Sequence, residues 1–278
     1  MGEHEPRVAI CAIAKNEGPY VDEWVAYHHL VGFGPIRVYD HESTDDMPGR
    51  LERLARHGLA ESTPWSVRAD EKPQWVAYED GLEQLRGRAD WIAFIDLDEF
   101  VVLPRHATIQ DFLAEHGATG AVAINWRMFG SAGHLHHDPG LVIERFTRCA
   151  PRGFGGNRAV KTLARLDAIE VPRVHTCEFA PGVEYATVDG QVLGPLEGRS
   201  ASATHDVIRI NHYFTRSREE WVRKSARGRG AKTANHPKKH RTIAEFHKND
   251  RNDEEERDIG GFAAPVRRLL AGIGAPVS

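Results

Sequence analysis

The sequence predicts an α/β fold with a Rossmann-like, mostly parallel central sheet, and three observations carry that expectation. Short β-favouring runs alternate with amphipathic segments of helical period through the first half of the chain. The segments between the runs are long enough to make right-handed crossovers between parallel strands. Three of the runs end in polar clusters: Lys15, Asn16 and Glu17; residues 40–46; and Asp96, Asp98 and Glu99. Ligands of open parallel sheets bind at the carboxyl ends of the strands, so the clusters mark one edge as a candidate site.

Each element has its own signature. Residues 8–14 are a β-branched run that breaks into Lys15, Asn16 and Glu17, with Gly18 and Pro19 suited to a helix start. A helix over 20–31 places Val21, Trp24, Val25 and His28 on one stripe. A second strand covers 36–39, and a helix over 48–57 turns Leu51, Leu54 and Ala55 inward, with Gly58 as its stop. A third strand is expected over 59–65. A helix over 72–85 keeps Trp75, Tyr78, Leu82 and Leu85 in helical period. Residues 91–100 form a fourth strand running into the carboxylates. Thr108, with Asp111 three residues on, caps a helix over 108–116, and 120–126 is a fifth strand.

Composition narrows the function. The 278 residues carry a formal charge of −4, which argues against a nucleic-acid coat or a strongly basic membrane binder. Cys11, Cys149 and Cys177 lie far apart without a CxxC pair, so neither a disulfide framework nor a cysteine zinc site is expected, and Cys11 reads as a small buried hydrophobe. No apolar run reaches the roughly 20 residues that span a bilayer. The polar stretch 1–7 lacks the apolar region of a signal peptide, so a cytoplasmic protein is expected, with peripheral membrane contact left open.

If the fourth strand continues through them, Asp96 and Asp98 point to the same face. Two carboxylates aimed together repel unless a divalent cation or a shared proton lies between them. The first strand leads into Ala-Lys-Asn-Glu-Gly instead of GxGxxG, and no GxxxxGK[ST] occurs, which disfavours a nicotinamide dehydrogenase or a P-loop NTPase. A metal on Asp96 and Asp98 would serve the phosphates of a bound nucleotide, as Mg2+ or Mn2+ does with one or two carboxylates plus substrate phosphates.

The second half is less regular. Residues 134–138 hold three histidines and Asp138, and read as a surface loop in the absence of zinc spacing. Runs at 141–146 and 160–166 read as strands, 171–179 carries His175 and Glu178, and 180–199 reads as loop. A strand over 208–213 runs into a helix opened by the capping box Ser217–Glu220. Ten Lys or Arg residues between Arg216 and Arg241 are either a solvated face or phosphate contacts. The acidic run 250–258 reads as a solvated linker, and 265–270 as a short amphipathic helix.

One ordered set of residues is more specific: Lys15–Asn16–Glu17; Glu23–Trp24 with Tyr27–His28; the Asp40–Asp45 cluster; Asp96–Leu97–Asp98–Glu99–Phe100; Asn125–Trp126; Phe129–Gly130–Ser131; Lys161; Val174–His175; and Asn211–His212–Tyr213 with Ser217, Glu219–Glu220, Lys224 and Arg227–Gly228. Over about residues 8–230 this set resembles a GT-A fold glycosyltransferase, close to family 92 and related bacterial family-2-like transferases. The resemblance implies a nucleotide-sugar-binding half at 1–133, an acceptor-side, metal-completing half at 134–240 and a tail at 241–278, within one continuous domain. It implies that Asp96 and Asp98 meet the donor ribose and a divalent metal, Mn2+ or Mg2+, with His212 completing the metal shell. Asn16, Glu17 and Asp40 would hold the nucleoside, and Lys161 and Arg216 the diphosphate. The implied activity moves a hexose, galactose being one candidate, from a UDP-sugar donor to a glycan or small-molecule acceptor, with inversion. Inversion needs a base, for which Glu178, His175 and Asp138 are the candidates.

Rival readings are a sugar-phosphate nucleotidyltransferase, which lacks its glycine-rich phosphate loop here, and a non-catalytic nucleotide-sugar-binding protein of the same fold. No nucleic-acid partner is expected, since the basic segment lacks interleaved aromatics.

Overall fold

The computed structural model describes residues 5–194 and 196–276. The first four residues of the polar start, Pro195 inside the 180–199 segment, and the last two residues lie outside that set. In chain order the first half runs β1 (Val8–Ala14), α1 (Gly18–Leu30), β2 (Ile36–Asp40), α2 (Met47–Arg56), β3 (Glu61–Pro64), α3 (Pro73–Leu85), β4 (Trp91–Phe94), β5 (Glu99–Val102), α4 (Ile109–His116) and β6 (Gly120–Met128). The second half adds α5 (Val142–Arg145), β7 (Arg148–Cys149), β8 (Val160–Arg165), β9 (Ile169–Pro172), β10 (Cys177–Phe179), β11 (Glu184–Ala186) and β12 (Arg209–His212). It closes with α6 (Arg218–Arg227), α7 (Ile243–Asn249), β13 (Glu254–Glu255) and α8 (Ala263–Gly272).

The main sheet has the order β3-β2-β1-β4-β8-β6-β12-β5, with β11 beside β6. β1 pairs in parallel with β2 and β4, β2 with β3, and β6 with β11 and β12. β8 runs antiparallel to both β4 and β6, and β5 antiparallel to β12. The expected mostly parallel α/β sheet is what forms, and strands from both halves of the chain build it.

Strand alternation explains its two-sided burial. On β1, Val8, Ile10 and Ala12 enter one core with Trp24 of α1, Leu51 of α2, Phe112 of α4 and Leu270 of α8. Ala9 and Cys11 enter the other, against Ala77, Tyr78 and Leu82 of α3. The fit there is close: a Cβ on Gly81 would lie 2.4 Å from the Cys11 sulfur. Cys11 is fully buried, as expected of a small hydrophobe.

Helix α1 also holds the strand that follows the carboxylates. Trp24 Nε1 donates to the Glu99 carbonyl at 2.8 Å, and the Tyr27 hydroxyl to the Val101 carbonyl at 2.8 Å. His28 Nδ1 bonds the Trp24 carbonyl at 2.8 Å, and its Nε2 accepts from the Val101 N–H at 3.2 Å. Those partners fix one tautomer, and burial pushes the imidazole down to about 3, so it is neutral.

Several sequence expectations need correction. Residues 141–146 are not a strand: α5 forms because the buried Glu23 carboxylate accepts the Val142 and Ile143 N–H groups at 2.7 and 3.1 Å, capping a helical turn. The acidic run is not a solvated linker. Asp250 and Asn252 accept the Ser131 and Ala132 N–H groups, while Glu254 and Asp258 pair with the buried Arg127 and Arg209. On α3, Tyr78, Leu82 and Leu85 are buried as expected, but Gln74 and Ala77 join them while Trp75 is half-exposed under Lys72. Both expected capping boxes, at Thr108 and Ser217, are present. Among the described residues no helix is long and apolar enough to cross a membrane.

Candidate functional site

β4 stops at Phe94, so Asp96 and Asp98 sit in a turn, and the strand alternation expected to aim them together does not apply. The two carboxylates are claimed by different neighbours. Asp96 is turned toward α3 and β8: Gln74 Nε2 donates to its Oδ1 at 2.8 Å, the Tyr78 hydroxyl at 3.4 Å, and Lys161 Nζ approaches Oδ2 at 3.2 Å. Beneath it, fully buried Glu99 accepts the Asp96 N–H at 2.9 Å and lies 3.4 Å from Lys161. Glu99 therefore closes the turn from below. Lys161 is fully buried between these two acids, so its charge is satisfied inside the protein and does not stand free for a diphosphate.

Asp98 faces the C-terminal half. His212, at the end of β12, brings Nε2 within 3.4 Å of Asp98 Oδ2, and the Lys224 ammonium of α6 bonds the same oxygen. Burial would raise the Asp98 carboxyl, but Lys224 and His212 hold it well below the usual range. Burial lowers His212, which leaves a neutral imidazole packed against Trp126 with a centroid separation of 4.2 Å. Lys224 is brought down to about 8, because burial, Arg241 and Arg216 together outweigh the pull of Asp98.

The other two polar strand ends are largely occupied with each other. Asn16 Oδ1 accepts the Thr44 N–H at 2.7 Å, its own N–H donates to Ser43 Oγ at 2.8 Å, and Asp45 accepts the Gly18 N–H at the start of α1 at 2.8 Å. Asp40 accepts the Ser43 N–H at 3.3 Å. Neither Asn16 nor Asp40 is among the residues lining the cleft described below. Glu17 is buried between Arg216, at 2.7 Å, and Arg227, which outweigh burial and keep its carboxyl low. Arg216 also donates to the Leu97 carbonyl at 3.2 Å and lies 3.5 Å over the Tyr20 ring. It braces the carboxylate turn against α1, with no free face for a diphosphate.

A cleft of about 510 Å³ opens at the carboxyl ends of the parallel strands. Lys15, Asp96, Asp98, Gln74, His175 and His212 line it, together with Lys224, Lys239 and Arg241 from the basic segment. Of the three candidate bases only His175 reaches it. Its Nδ1 donates to the Val160 carbonyl at 3.2 Å, leaving Nε2 as the lone-pair nitrogen, and burial with Lys161 nearby lowers it to about 4. Glu178 pairs with Arg173 on the β9–β10 hairpin, and Asp138 bonds His134 at 3.0 Å in the exposed loop that receives α6. Neither lines the cleft.

The basic segment is not a solvated face. Arg216 and Arg227 hold Glu17, Lys224 holds Asp98, Arg223 holds Glu219, and Arg229 holds Glu245. Lys239 and Arg241 differ. Lys239 donates to the Arg229 and Lys232 carbonyls and Arg241 to that of Gly228, and among the described residues neither has a carboxylate partner. Burial, reinforced by Arg227 and Arg229, brings the Arg241 guanidinium down to about 10. A cleft wall with two cations that no carboxylate among the described residues bonds directly has the chemistry of an anion site.

As donors for a hard divalent ion, an ionised Asp98 and a neutral His212 fit, and Asp96 does not join them: the three offer no set of ligand atoms within 4.8 Å of one another. Two protein ligands completed by ligand phosphates match the habit of Mg2+ and Mn2+.

Residues 8–145 match the sequence model described as glycosyltransferase family 92. The chain is similar to glycosyltransferase family 92. A family 92 protein of Ricinus communis is 27% identical over 199 residues, 69% of this chain and 35% of its own length. One from Oryza sativa subsp. japonica is 24% identical over 192 residues, 65% of this chain and 31% of its own. The chain thus spans about a third of the length of these curated relatives. Among solved structures, S. aureus TarS 1–349 superposes with a TM-score of 0.37 at 16% identity, covering 58% of this chain and 48% of that one. Glucosyl-3-phosphoglycerate synthase from Mycobacterium tuberculosis, with phosphoglyceric acid, gives 0.32 at 19% identity and 44% of each chain.

The family 92 match contains α1, both polar loops and the Asp96–Asp98 turn, while His175, His212, Lys224, Lys239 and Arg241 lie beyond residue 145. Sequence reasoning missed the hold of Gln74 and Tyr78 on Asp96, because Tyr78 looks like an ordinary core position on an amphipathic helix. It also treated the basic run as one unit. Only the absence of nearby acids around Lys239 hinted that part of it lacks partners.

Proposed function

We propose that this chain is a glycosyltransferase that moves a hexose, galactose being one candidate, from a UDP-sugar to a hydroxyl of a glycan or small-molecule acceptor. The observation that carries the reading is the Asp98–His212 pair, 3.4 Å apart in the cleft that Lys239 and Arg241 also line. Similarity to family 92 over residues 8–145 supports the activity class. In this reading Lys239 and Arg241 receive the diphosphate, and Asp96, oriented by Gln74 and Lys161, meets the donor. Asp98 and His212 would hold Mn2+ or Mg2+, which supplies charge neutralisation to the leaving diphosphate. Arg216 and Lys161 act as positioning residues behind the cleft, and Glu17, in its wall, is paired with Arg216 and Arg227.

His175 is the base candidate that remains, with Nε2 available to take a proton from the acceptor hydroxyl in an inverting transfer. Its low basicity favours a second reading, a nucleotide-sugar-binding protein without turnover. Calorimetry tests the shared part: UDP should bind more tightly with Mn2+ present, and Asp98→Ala should remove the dependence. Equal UDP affinity with and without metal in the unmodified chain would overturn the metal role. Release of UDP from a panel of nucleotide sugars separates the transferase from the binding protein.

A further inference from the structure

We infer that His106, Glu115 and His116 form a binding site for a zinc-class divalent cation, outside the candidate cleft. His106 lies in the loop after β5, while Glu115 and His116 end α4. One donor atom from each lies within 4.8 Å of the other two, and among the described residues no other three His, Cys, Asp or Glu side chains converge this closely. Glu115 Oε2 is 3.3 Å from His106 Nε2 and 3.7 Å from His116 Nε2. Zinc bonds of about 2.0–2.1 Å in a tetrahedron separate neighbouring ligand atoms by about 3.3–3.4 Å, so the spacing is close to that of ligands sharing one ion.

The two imidazoles are held by the core and do not wave in solvent. The His106 ring stands edge-on to Phe112 at 5.7 Å and 86°, and the His116 ring stacks on Phe112 at 5.0 Å and 28°. Phe112 itself is fully buried. The His106 side chain is only 6% exposed, and its Nδ1 is buried with no hydrogen-bond partner. Its polar contact is therefore made through Nε2, toward Glu115. The Glu115 side chain is 67% exposed, which leaves a path for an ion to enter.

Two imidazole nitrogens and one carboxylate oxygen suit zinc better than magnesium or calcium, which prefer all-oxygen shells. Three protein ligands leave a fourth position for water or a small anion. A bound ion would tie the loop after β5 to the end of α4, on the strand that begins with Glu99.

The test titrates the chelator-treated full chain with Zn2+ by calorimetry, beside Glu115→Gln, His116→Ala and Asp98→Ala. One Zn2+ per chain should bind, weakened about tenfold or more by Glu115→Gln and by His116→Ala but not by Asp98→Ala, since loss of a ligand exceeds the effect of losing an outer-shell partner. Co2+ should give the visible absorption of a four-coordinate site, absent from the same two variants. Glu115→Gln changes an exposed side chain and keeps the test intact should His116→Ala fail to fold. Weakening below tenfold in folded Glu115→Gln, or loss of the Zn2+ in Asp98→Ala alone, overturns the assignment.

Discussion

Asp96 and Asp98 are one residue apart, yet each belongs to a different part of the molecule. Asp96 is held by Gln74 and Tyr78 of α3 and by Lys161 of β8, with Glu99 directly below it. Asp98 is held by His212 and Lys224, which come from the strand and helix that follow residue 208. On the Asp96 side the lysine is closed off from solvent, although the Asp96 carboxylate itself lines the cleft and is 35% exposed. On the Asp98 side the acid is only 7% exposed, and its lysine lines the cleft. The contrast assigns different work to two similar acids: one is fixed in direction by the scaffold, while the other carries a counter-ion that a ligand can replace.

The largest effect should come from the closed side. Lys161→Met removes the cation shared by Asp96 and Glu99 and leaves the buried Glu99 carboxyl with the Asp96 N–H but no counter-charge. Breaking a buried ion pair by deleting one partner costs about 3 kcal/mol or more. Urea unfolding should read a loss of that size. A loss under about 1 kcal/mol would mean that Lys161 contributes little to the turn, and the distinction between the two sides would fail.

Glu23 sharpens the same comparison, because it is a buried carboxyl with no ion pair among the described residues. Burial pushes it up to about 7, and the Val142 and Ile143 N–H groups only partly oppose that rise. Its folded value lies above the ordinary glutamate value of 4.5, so the folded state binds the extra proton in between. The stability it contributes is fully present below about 4.5 and is lost as pH rises through about 7. Glu23→Gln should flatten the fall in unfolding free energy between pH 5 and 7.5 by about 2 kcal/mol. An unchanged slope would show that the N–H groups alone keep Glu23 ionised.

These partners also explain what could and could not be read from the sequence. Elements of the first half were legible because strands and amphipathic helices carry their own period, and polar residues at three strand ends located the cleft. Residues 141–146 were ambiguous since a short apolar run suits either structure, and the deciding cap, Glu23, lies about 120 residues earlier. The same distance hides electrostatic roles. Arg216 meets Glu17 across 199 residues, Lys161 meets Asp96 across 65, and Lys224 meets Asp98 across 126. Residue type and strand position pointed to Asp96 and Asp98, and the family resemblance to His212, as residues of one cleft. Which acids already have a cation depends on pairings that no local pattern encodes, and for that reason Glu17, Lys161 and Arg216 looked like free ligand contacts.

The smallest effect, and the one that bears most directly on the cleft, belongs to Lys224. Its ammonium sits on the Asp98 oxygen that His212 also faces, so a divalent ion bound there has to displace it. Lys224→Met should therefore strengthen Mn2+ binding by up to about tenfold, equivalent to about 1.4 kcal/mol, as read from the free-Mn2+ signal in electron paramagnetic resonance. The fold should lose only about 1 kcal/mol, because Asp98 keeps His212 and borders a cleft that water can enter. Its loss should be well below that of Lys161→Met. If both lysine variants destabilise equally and Mn2+ affinity does not move, Lys224 is a scaffold cation like Lys161. Asp98 then has no replaceable partner, and the metal role of the Asp98–His212 pair fails.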